Sequence, residues 1–172
     1  MLGPLPISIQ RQPEDLSVEE TGKTYLDNAL LKAKAASERT KSWSIADDSG
    51  LEVDALNGAP GIYSARFANT NQEKIEKILK ELGDTPYRSA RFCSVMVLCD
   101  PSGKHISHSE GICWGEILKK PAYPDGEFES ILWIRETKCT YGELNKEQLM
   151  KLGSRGKAAR ALAPFLLKEL GL

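Results

Sequence analysis

The sequence predicts a single soluble domain of the α/β or α+β class. Its 172 residues, 41% hydrophobic and 27% charged, suffice for one hydrophobic core. Segments with helical spacing of apolar residues alternate with short strand-like runs along the whole chain. We find no internal repeat, low-complexity tract or linker, so residues 1–172 are expected to form one domain.

Three segments have the periodicity of helices. The first spans about 21–40, and its apolar face consists of Leu26, Ala29, Leu30 and Ala33. The second spans 70–83, with a capping residue at its start and a glycine at its end. The last begins near Ser154, and Pro164 is expected to bend or split it, because proline removes a backbone hydrogen bond.

Five segments have the composition of strands: residues 6–10, 43–46, 90–99, 111–118 and 130–134. The second is expected to end at Asp47, where a turn-like Asp-Asp-Ser-Gly sequence begins, and residues 51–53 can then continue in extended form. The third and fourth are predicted to form a hairpin through the turn at 100–103.

Charge and composition exclude several classes of function. Lys and Arg number 23 and Asp and Glu 24, so no excess of positive charge favours nucleic acid or a membrane surface. The longest apolar runs fall far short of the roughly 20 residues that span a bilayer. The first residues lack the basic and apolar regions of a signal peptide, so we expect a cytoplasmic protein.

The cysteines and histidines do not indicate a metal site. The four cysteines form no Cys-x-x-Cys pair and are expected to be buried, reduced packing residues; they are Cys93, Cys99, Cys113 and Cys139. His105 and His108 are three apart on a predicted strand and should therefore point to opposite faces. We do not expect a zinc enzyme.

Two pairs of carboxylates are candidate ligands for a hard cation. Asp47 and Asp48 follow a predicted strand, and ligands of α/β proteins bind beyond the carboxyl ends of strands. Glu19 and Glu20 precede the first helix. Taken singly, the aspartates suit a polar turn and the glutamates compensate a helix dipole. Taken together, the four favour a Mg²⁺ site.

Two basic positions are candidate phosphate contacts. Lys32 lies four residues after Asn28 and shares its helix face, although it could equally be a solvated lysine. Arg155 lies at the predicted start of the last helix, where an anion could be held by the free amides and the guanidinium.

Three ordered motifs resemble the inosine/xanthosine triphosphate pyrophosphatase family. They are Glu-Glu-Thr-Gly-x-Thr-Tyr-x-x-Asn-Ala-Leu-Leu-Lys-Ala from Glu19, Ala-Asp-Asp-Ser-Gly-Leu-x-Val-Asp from Ala46, and Gly-Ala-Pro-Gly-Ile-Tyr-Ser-Ala-Arg-Phe from Gly58. The resemblance implies an elongated mixed β-sheet flanked by helices, in two lobes with a central cleft. It also implies a homodimer that cleaves deaminated purine nucleoside triphosphates to monophosphate and pyrophosphate.

The resemblance also implies roles for individual residues. Asp48 matches the catalytic aspartate, which activates water and binds Mg²⁺. Glu19 or Glu20 matches the glutamate that shares the metal. Ser49 and Lys32 match residues near the phosphates.

The base-reading motifs depart from the family pattern. Residues 126–132 occupy the position at which the family has Phe-Gly-Tyr-Asp-Pro-Ile-Phe. Phe128 could still stack on a purine, and Glu129 takes the place of the family's aspartate. The Ser-His-Arg motif is Gly-Ser154-Arg155, in which Ser154 replaces the histidine and Arg155 matches the arginine. We therefore expect altered or weakened base selectivity, since a missing donor in such a site costs discrimination.

The family's first strand and its Thr-Gly-Asn-x-x-Lys phosphate loop have no counterpart in this sequence. Either the chain begins at an internal methionine, or part of the phosphate site is missing. The leading hypothesis is a Mg²⁺-dependent nucleoside-triphosphate pyrophosphatase. The alternative is a catalytically impaired relative that binds nucleotides or acts as an interaction module.

Overall fold

The computed structural model describes residues 7–172 and contains four helices and five strands within that range. The helices are α1 (Tyr25–Thr40), α2 (Asn71–Leu82), α3 (Lys146–Leu152) and α4 (Ser154–Leu170). The strands are β1 (Ser44–Val53), β2 (Ser89–Cys99), β3 (His105–Ile117), β4 (Leu132–Ile134) and β5 (Cys139–Thr140). None of the helices between residues 7 and 172 is long and apolar enough to cross a membrane.

The five strands form one curled sheet in the order β1-β2-β3-β4-β5, and every pairing is antiparallel. The long strands β1, β2 and β3 are the centre of the molecule, with Ser49 opposite Ser94 and Ser94 opposite Gly111. Helices flank this sheet, which confirms the predicted mixed α/β class.

Helix α1 covers one face of β1 and β2, and helix α4 covers the opposite face of β2 and β3. Val97 and Cys99 pack against Ala29 and Ala33 of α1. Their neighbours on the other face, Met96 and Leu98, pack against α4 residues that include Ala158 and Leu162. Because successive side chains of a strand point to opposite faces, β2 is buried on both sides and is apolar throughout this stretch.

The other end of the sheet has a separate core. Leu51 and Val53 pack there against α2, whose buried face includes Ile75 and Ile78. The middle of β1 therefore lies between two hydrophobic regions of the sheet. In one the sheet packs against α1 and α4, and in the other it packs against α2. Residues 47–49 are at this junction.

Local signals predicted helix ends well. Thr24 caps α1 in a capping box with Asp27, and Thr70 caps α2 in the same way. Helix α4 begins at Ser154 as predicted and is not split at Pro164. Helix α3 and strand β5 were not predicted, because seven and two residues are too short for a clear period.

The strand predictions need three corrections. Residues 7–10 have no regular structure, and residue 6 lies outside the described range. The segment 128–130 is a turn of 3₁₀ helix, so β4 begins only at Leu132. Strand β1 does not end at Asp47 but continues without interruption to Val53.

The prediction that the two histidines point to opposite faces was wrong. Their ring centroids lie 5.3 Å apart. A register shift opposite Leu98 and Cys99 inserts an extra residue into β3 there, so strict alternation fails for His105 and His108. All four cysteines are free; Cys93, Cys99 and Cys113 are buried as predicted, and Cys139 is half-buried.

Candidate active site

Asp47 and Asp48 lie in the middle of β1, not beyond its end. They pair with Met96 and Val95 of β2, so the expectation that they occupy a turn was wrong. Aspartate, serine and glycine disfavour strands locally, but a long cross-strand ladder overrides that preference. Because side chains alternate along a strand, the two aspartates face opposite sides of the sheet.

Asp48 is buried on the α1 side and has two side-chain partners from that helix. Its side chain is 9% exposed. Asn28 Nδ2 donates to Asp48 Oδ2 at 3.1 Å, and Lys32 Nζ donates to Asp48 Oδ1 at 3.2 Å. Lys32 Nζ also donates to Glu20 Oε1 at 2.8 Å. The lysine ammonium therefore bridges the two carboxylates, and we call this group the Glu20–Lys32–Asp48 cluster.

Glu20, rather than Glu19, is the glutamate that meets Asp48. A second cation, Arg66, lies 3.6 Å from Glu20 Oε2 through its Nη1 atom. Glu19 is exposed, and within residues 7–172 its side chain makes no hydrogen bond or ion pair. The predicted convergence of four carboxylates is therefore wrong, because Asp47 faces the other side of the sheet and Glu19 faces solvent.

The cluster keeps Lys32 charged. Partial burial opposes the charged form of Lys32, but the hydrogen bond to Glu20 and the charges of Asp48 and Glu20 outweigh it. The pKa of Lys32 is therefore raised above its ordinary value. The ammonium is therefore a positive charge at neutral pH.

Two glycines allow the motifs to approach one another. A Cβ atom on Gly22 would lie 2.6 Å from Asn28 Oδ1, so only glycine lets this segment rest on the start of α1. A Cβ atom on Gly50 would overlap the Gly61 carbonyl oxygen and lie 2.7 Å from the Tyr25 hydroxyl. The three motifs found in the sequence are thus packed together around Asp48.

The opposite face of β1 has a different network. Arg155 Nε donates to Asp47 Oδ2 at 2.7 Å, and Ser49 Oγ donates to the same oxygen at 2.8 Å. Ser49 Oγ lies 2.9 Å from Ser94 Oγ, and Ser94 Oγ donates to Ser154 Oγ at 2.7 Å. A chain of hydroxyl groups therefore joins the middle of β1 to the first residue of α4.

This network bears on three predicted substrate contacts. Ser154 is only 3% exposed, and both it and Ser49 are hydrogen-bonded inside the protein. Arg155 is more accessible, since its side chain is 55% exposed and Nε alone contacts Asp47. Their roles in substrate binding stay predictions.

The predicted base-reading residues, Phe128 and Glu129, have other partners in the described part of the chain. Phe128 is 6% exposed and belongs to the core, with its ring centroid 6.4 Å from that of Phe67. Glu129 Oε1 accepts a hydrogen bond from the Glu127 backbone N–H at 3.0 Å. Across residues 7–172, no hydrogen bond or ion pair joins Glu129 to Glu20, Lys32 or Asp48. Stacking by Phe128 also stays a prediction.

The cluster fits a magnesium ion that is shared with phosphates. Mg²⁺ is usually held by one or two carboxylates and by substrate oxygens, and not by a full cage of protein ligands. Glu20 and Asp48 supply two such carboxylates on either side of a cation. The described part of the chain brings together no group of three or more His, Cys, Asp or Glu residues able to hold a metal. The protein's donors therefore suit a two-carboxylate site.

Sequence reasoning missed two members of the site. Arg66 is part of the third motif but was not assigned a role, although it is a second cation beside Glu20. Asn28 was noted only as a neighbour of Lys32 on the helix, yet it contacts Asp48 directly. The spacing of four residues between Asn28 and Lys32 was the signal that could have found it.

The curled antiparallel sheet, with paired carboxylates and cations at mid-strand, defines an α/β protein whose site suits a metal-bound anion. A family model described as the Ham1 family matches residues 1–165, and the chain belongs to the Ham1 family.

Comparisons with individual proteins agree with this assignment. The chain is 43% identical over 171 residues to a protein of Synechococcus sp. (strain CC9311) named dITP/XTP pyrophosphatase, covering 99% of this chain and 83% of that one. It is 46% identical over 160 residues to a protein of the same name from Nostoc sp., covering 92% and 82%. The solved structure of the Staphylococcus aureus Ham1 protein superposes with a TM-score of 0.80 at 40% identity, covering 90% and 82%.

Proposed function

We propose that this Ham1-family chain is a Mg²⁺-dependent nucleoside-triphosphate pyrophosphatase that acts on inosine- and xanthosine-type triphosphates. The relatives named dITP/XTP pyrophosphatase support the reaction and the substrate class. The observation that carries the proposal is the Lys32 ammonium, held between the carboxylates of Glu20 and Asp48. Such a group of charges suits a triphosphate with its cation.

In the proposed reaction, Asp48 accepts a proton from a water molecule whose oxygen attacks the α-phosphorus. The bond between the α-phosphorus and the oxygen that bridges to the β-phosphate breaks, and pyrophosphate leaves with that electron pair. Lys32 and Arg66 bind phosphate oxygens and balance the charge of the leaving group. Mg²⁺, when held by Glu20 and Asp48, supplies positive charge that neutralises the triphosphate.

Pyrophosphate release tests this proposal. The purified chain is assayed with inosine, deoxyinosine and xanthosine triphosphates and with ATP and GTP, and the Asp48→Asn variant gives the background. We expect turnover of the first three substrates well above that background. Turnover no higher than that of Asp48→Asn on all five would end the claim of catalysis, and nucleotide binding in calorimetry would then favour a binding module.

The two adjacent glutamates offer a matched test of the metal. We expect Glu20→Gln to need at least about tenfold more Mg²⁺ for half-maximal rate, because one of two carboxylates is lost. Glu19→Gln should behave as the wild type, since its side chain faces solvent. Equal shifts in the two variants, or full activity in excess chelator, would contradict the proposed metal site.

We also propose that base selectivity is weakened. This rests on the departures at 126–132 and on Ser154, whose short hydroxyl stands where the family has a histidine and is bonded to Ser94. The ratio of kcat/KM for inosine triphosphate to that for GTP should be lower than in a relative that has the histidine. A ratio equal to or above the relative's would refute this part.

The homodimer, the cytoplasmic location and the lack of nucleic-acid or membrane partners stay parts of the proposal. The family resemblance supports the dimer, and the balanced charge supports the absence of nucleic-acid and membrane binding. Light scattering after size-exclusion chromatography should give twice the 19.0 kDa mass of one chain. A mass of 19.0 kDa at micromolar concentration would exclude a stable dimer.

A further inference from the structure

Asn28 occupies a buried position between two segments of the cluster. It lies in the second turn of α1 and has no solvent exposure. Its Oδ1 accepts a hydrogen bond from the Gly22 backbone N–H at 2.8 Å. Its Nδ2 donates to Asp48 Oδ2 at 3.1 Å. One side chain therefore connects the segment that carries Glu20 to the buried carboxylate of β1.

The two partners fix the orientation of the amide. A backbone N–H can only donate and an ionised carboxylate can only accept, so the oxygen of Asn28 must face Gly22 and its nitrogen must face Asp48. Of the side chains of this size, only asparagine offers an acceptor and a donor in these directions. Aspartate would keep the contact with Gly22 but place a second carboxylate against Asp48.

The contact also determines which oxygen of Asp48 stays available. Asn28 engages Oδ2, whereas Oδ1 faces Lys32 and, through it, Glu20. A carboxylate held at one oxygen has lost its rotational freedom before any ligand arrives. Such partners of a metal ligand commonly change metal affinity or activity by about 10–100-fold when they are removed.

We propose that Asn28 is a positioning residue, which clamps Asp48 through Oδ2 so that Oδ1 points towards Glu20 and the phosphate side. The same amide connects the segment 20–22 to β1, through Gly22 and Asp48. This inference rests on the proposed function, because it assigns Asp48 and Glu20 to the reacting centre.

The test compares Asn28→Asp and Asn28→Ala with Ser37→Ala. Ser37 is also buried on α1, and its Oγ lies 2.7 Å from Ser44 Oγ of β1, the strand that carries Asp48. Ser37→Ala therefore weakens the packing of α1 on β1 without removing a partner of Asp48. We expect kcat to fall about 10–100-fold in both Asn28 variants with KM for the nucleotide nearly unchanged. Ser37→Ala should keep the wild-type kcat.

A second readout does not depend on turnover. Binding of Mn²⁺, followed by electron paramagnetic resonance in the presence of a non-hydrolysable triphosphate, should weaken about tenfold or more in Asn28→Asp and Asn28→Ala but not in Ser37→Ala. Wild-type kcat and Mn²⁺ affinity in both Asn28 variants would overturn the inference and leave the proposed function intact. If the wild type hydrolyses nothing, the proposed function fails and Mn²⁺ binding alone decides the role of Asn28.

Discussion

Strand β1 presents two adjacent aspartates to opposite faces of the sheet, and the two faces differ in burial and in partners. The side chain of Asp48 is 9% exposed and meets an amide and an ammonium from α1. The side chain of Asp47 is 31% exposed and meets Arg155 from α4 and the hydroxyl of Ser49.

The comparison shows that two aspartates adjacent in sequence can have different environments, so the residue type alone does not identify a reactive carboxylate. On the α1 face Lys32 joins Asp48 to a second carboxylate, Glu20, which also pairs with Arg66. Charge is therefore concentrated beside the buried Asp48, where water screens it less than at the surface. The α4 face ties Asp47 to a half-exposed guanidinium and a chain of neutral hydroxyls. Under the proposed function, the first face carries the chemistry and the second face docks α4.

Exchanging each aspartate for asparagine gives the largest expected contrast. Asp48→Asn should lower kcat by about 10³-fold or more, because it removes the proposed base. Asp47→Asn should lower kcat less than tenfold and cost at most about 1 kcal/mol of unfolding free energy, as for other exposed ion pairs. Steady-state kinetics and urea unfolding measure both effects. Equal losses of activity would break the distinction between the faces.

The two cations offer a second contrast. Lys32→Met should lower kcat/KM by about 10²-fold, because Glu20 and Asp48 are left to repel one another and a phosphate contact is lost. Arg155→Met should have a smaller effect, about tenfold through KM, because Arg155 is half-exposed and its predicted phosphate contact lies outside the reacting centre. A larger loss of kcat in Arg155→Met than in Lys32→Met would reverse the assignment of the two faces.

The hydroxyl chain can be tested at its middle member. Ser94→Ala removes a fully buried hydroxyl that contacts both Ser49 and Ser154. It should lower the unfolding free energy by about 2 kcal/mol, because buried partners are left unsatisfied. It should leave kcat within about twofold of the wild type. A large loss of kcat at unchanged stability would show that the α4 face takes part in the reaction.

The smallest expected effect is an alkaline loss of stability that originates on the Asp48 face. Burial raises the pKa of Cys93 to about 12, and burial also raises the pKa of Tyr25. Because these pKa values are higher in the folded chain than in the unfolded chain, deprotonation favours unfolding. This stability is fully present below the unfolded pKa of Cys93, about 8.5, and is lost as pH rises towards 12.

We expect Cys93 alone to cost about 1 kcal/mol of unfolding free energy by pH 9.5. Urea unfolding of the wild type and Cys93→Ala at pH 7.5 and 9.5 measures it, and the variant should show the smaller decrease between the two pH values. Identical decreases would mean that the buried thiol does not contribute.

Several features of the fold and site could be predicted from the sequence. The start of α4 at Ser154 and the caps of α1 and α2 follow from local chemistry. Asp48, one of the two glutamates and Lys32 were predicted because hard cations and phosphates need these residue types, whereas the expected convergence of all four carboxylates was wrong. The predicted loss of a first strand and of a phosphate loop stays a prediction.

Other features could not be predicted. The turn-like composition after residue 46 concealed a continuous strand, because the ladder to β2 that stabilises it is formed by residues about 45 positions away. The choice of Glu20 over Glu19 depends on Lys32 and Arg66, which reach the same carboxylate from separate elements.

The sequence by itself determined where α1, α2 and α4 lie, the motifs and the types of residue available for chemistry, since capping and periodicity act over a few neighbouring positions. Only the tertiary structure decided which carboxylates share a site. Asn28 and Asp48 are 20 residues apart, and Arg155 and Asp47 are 108 apart. The side of the sheet that each aspartate faces follows from strand pairing and helix packing, which no local pattern encodes.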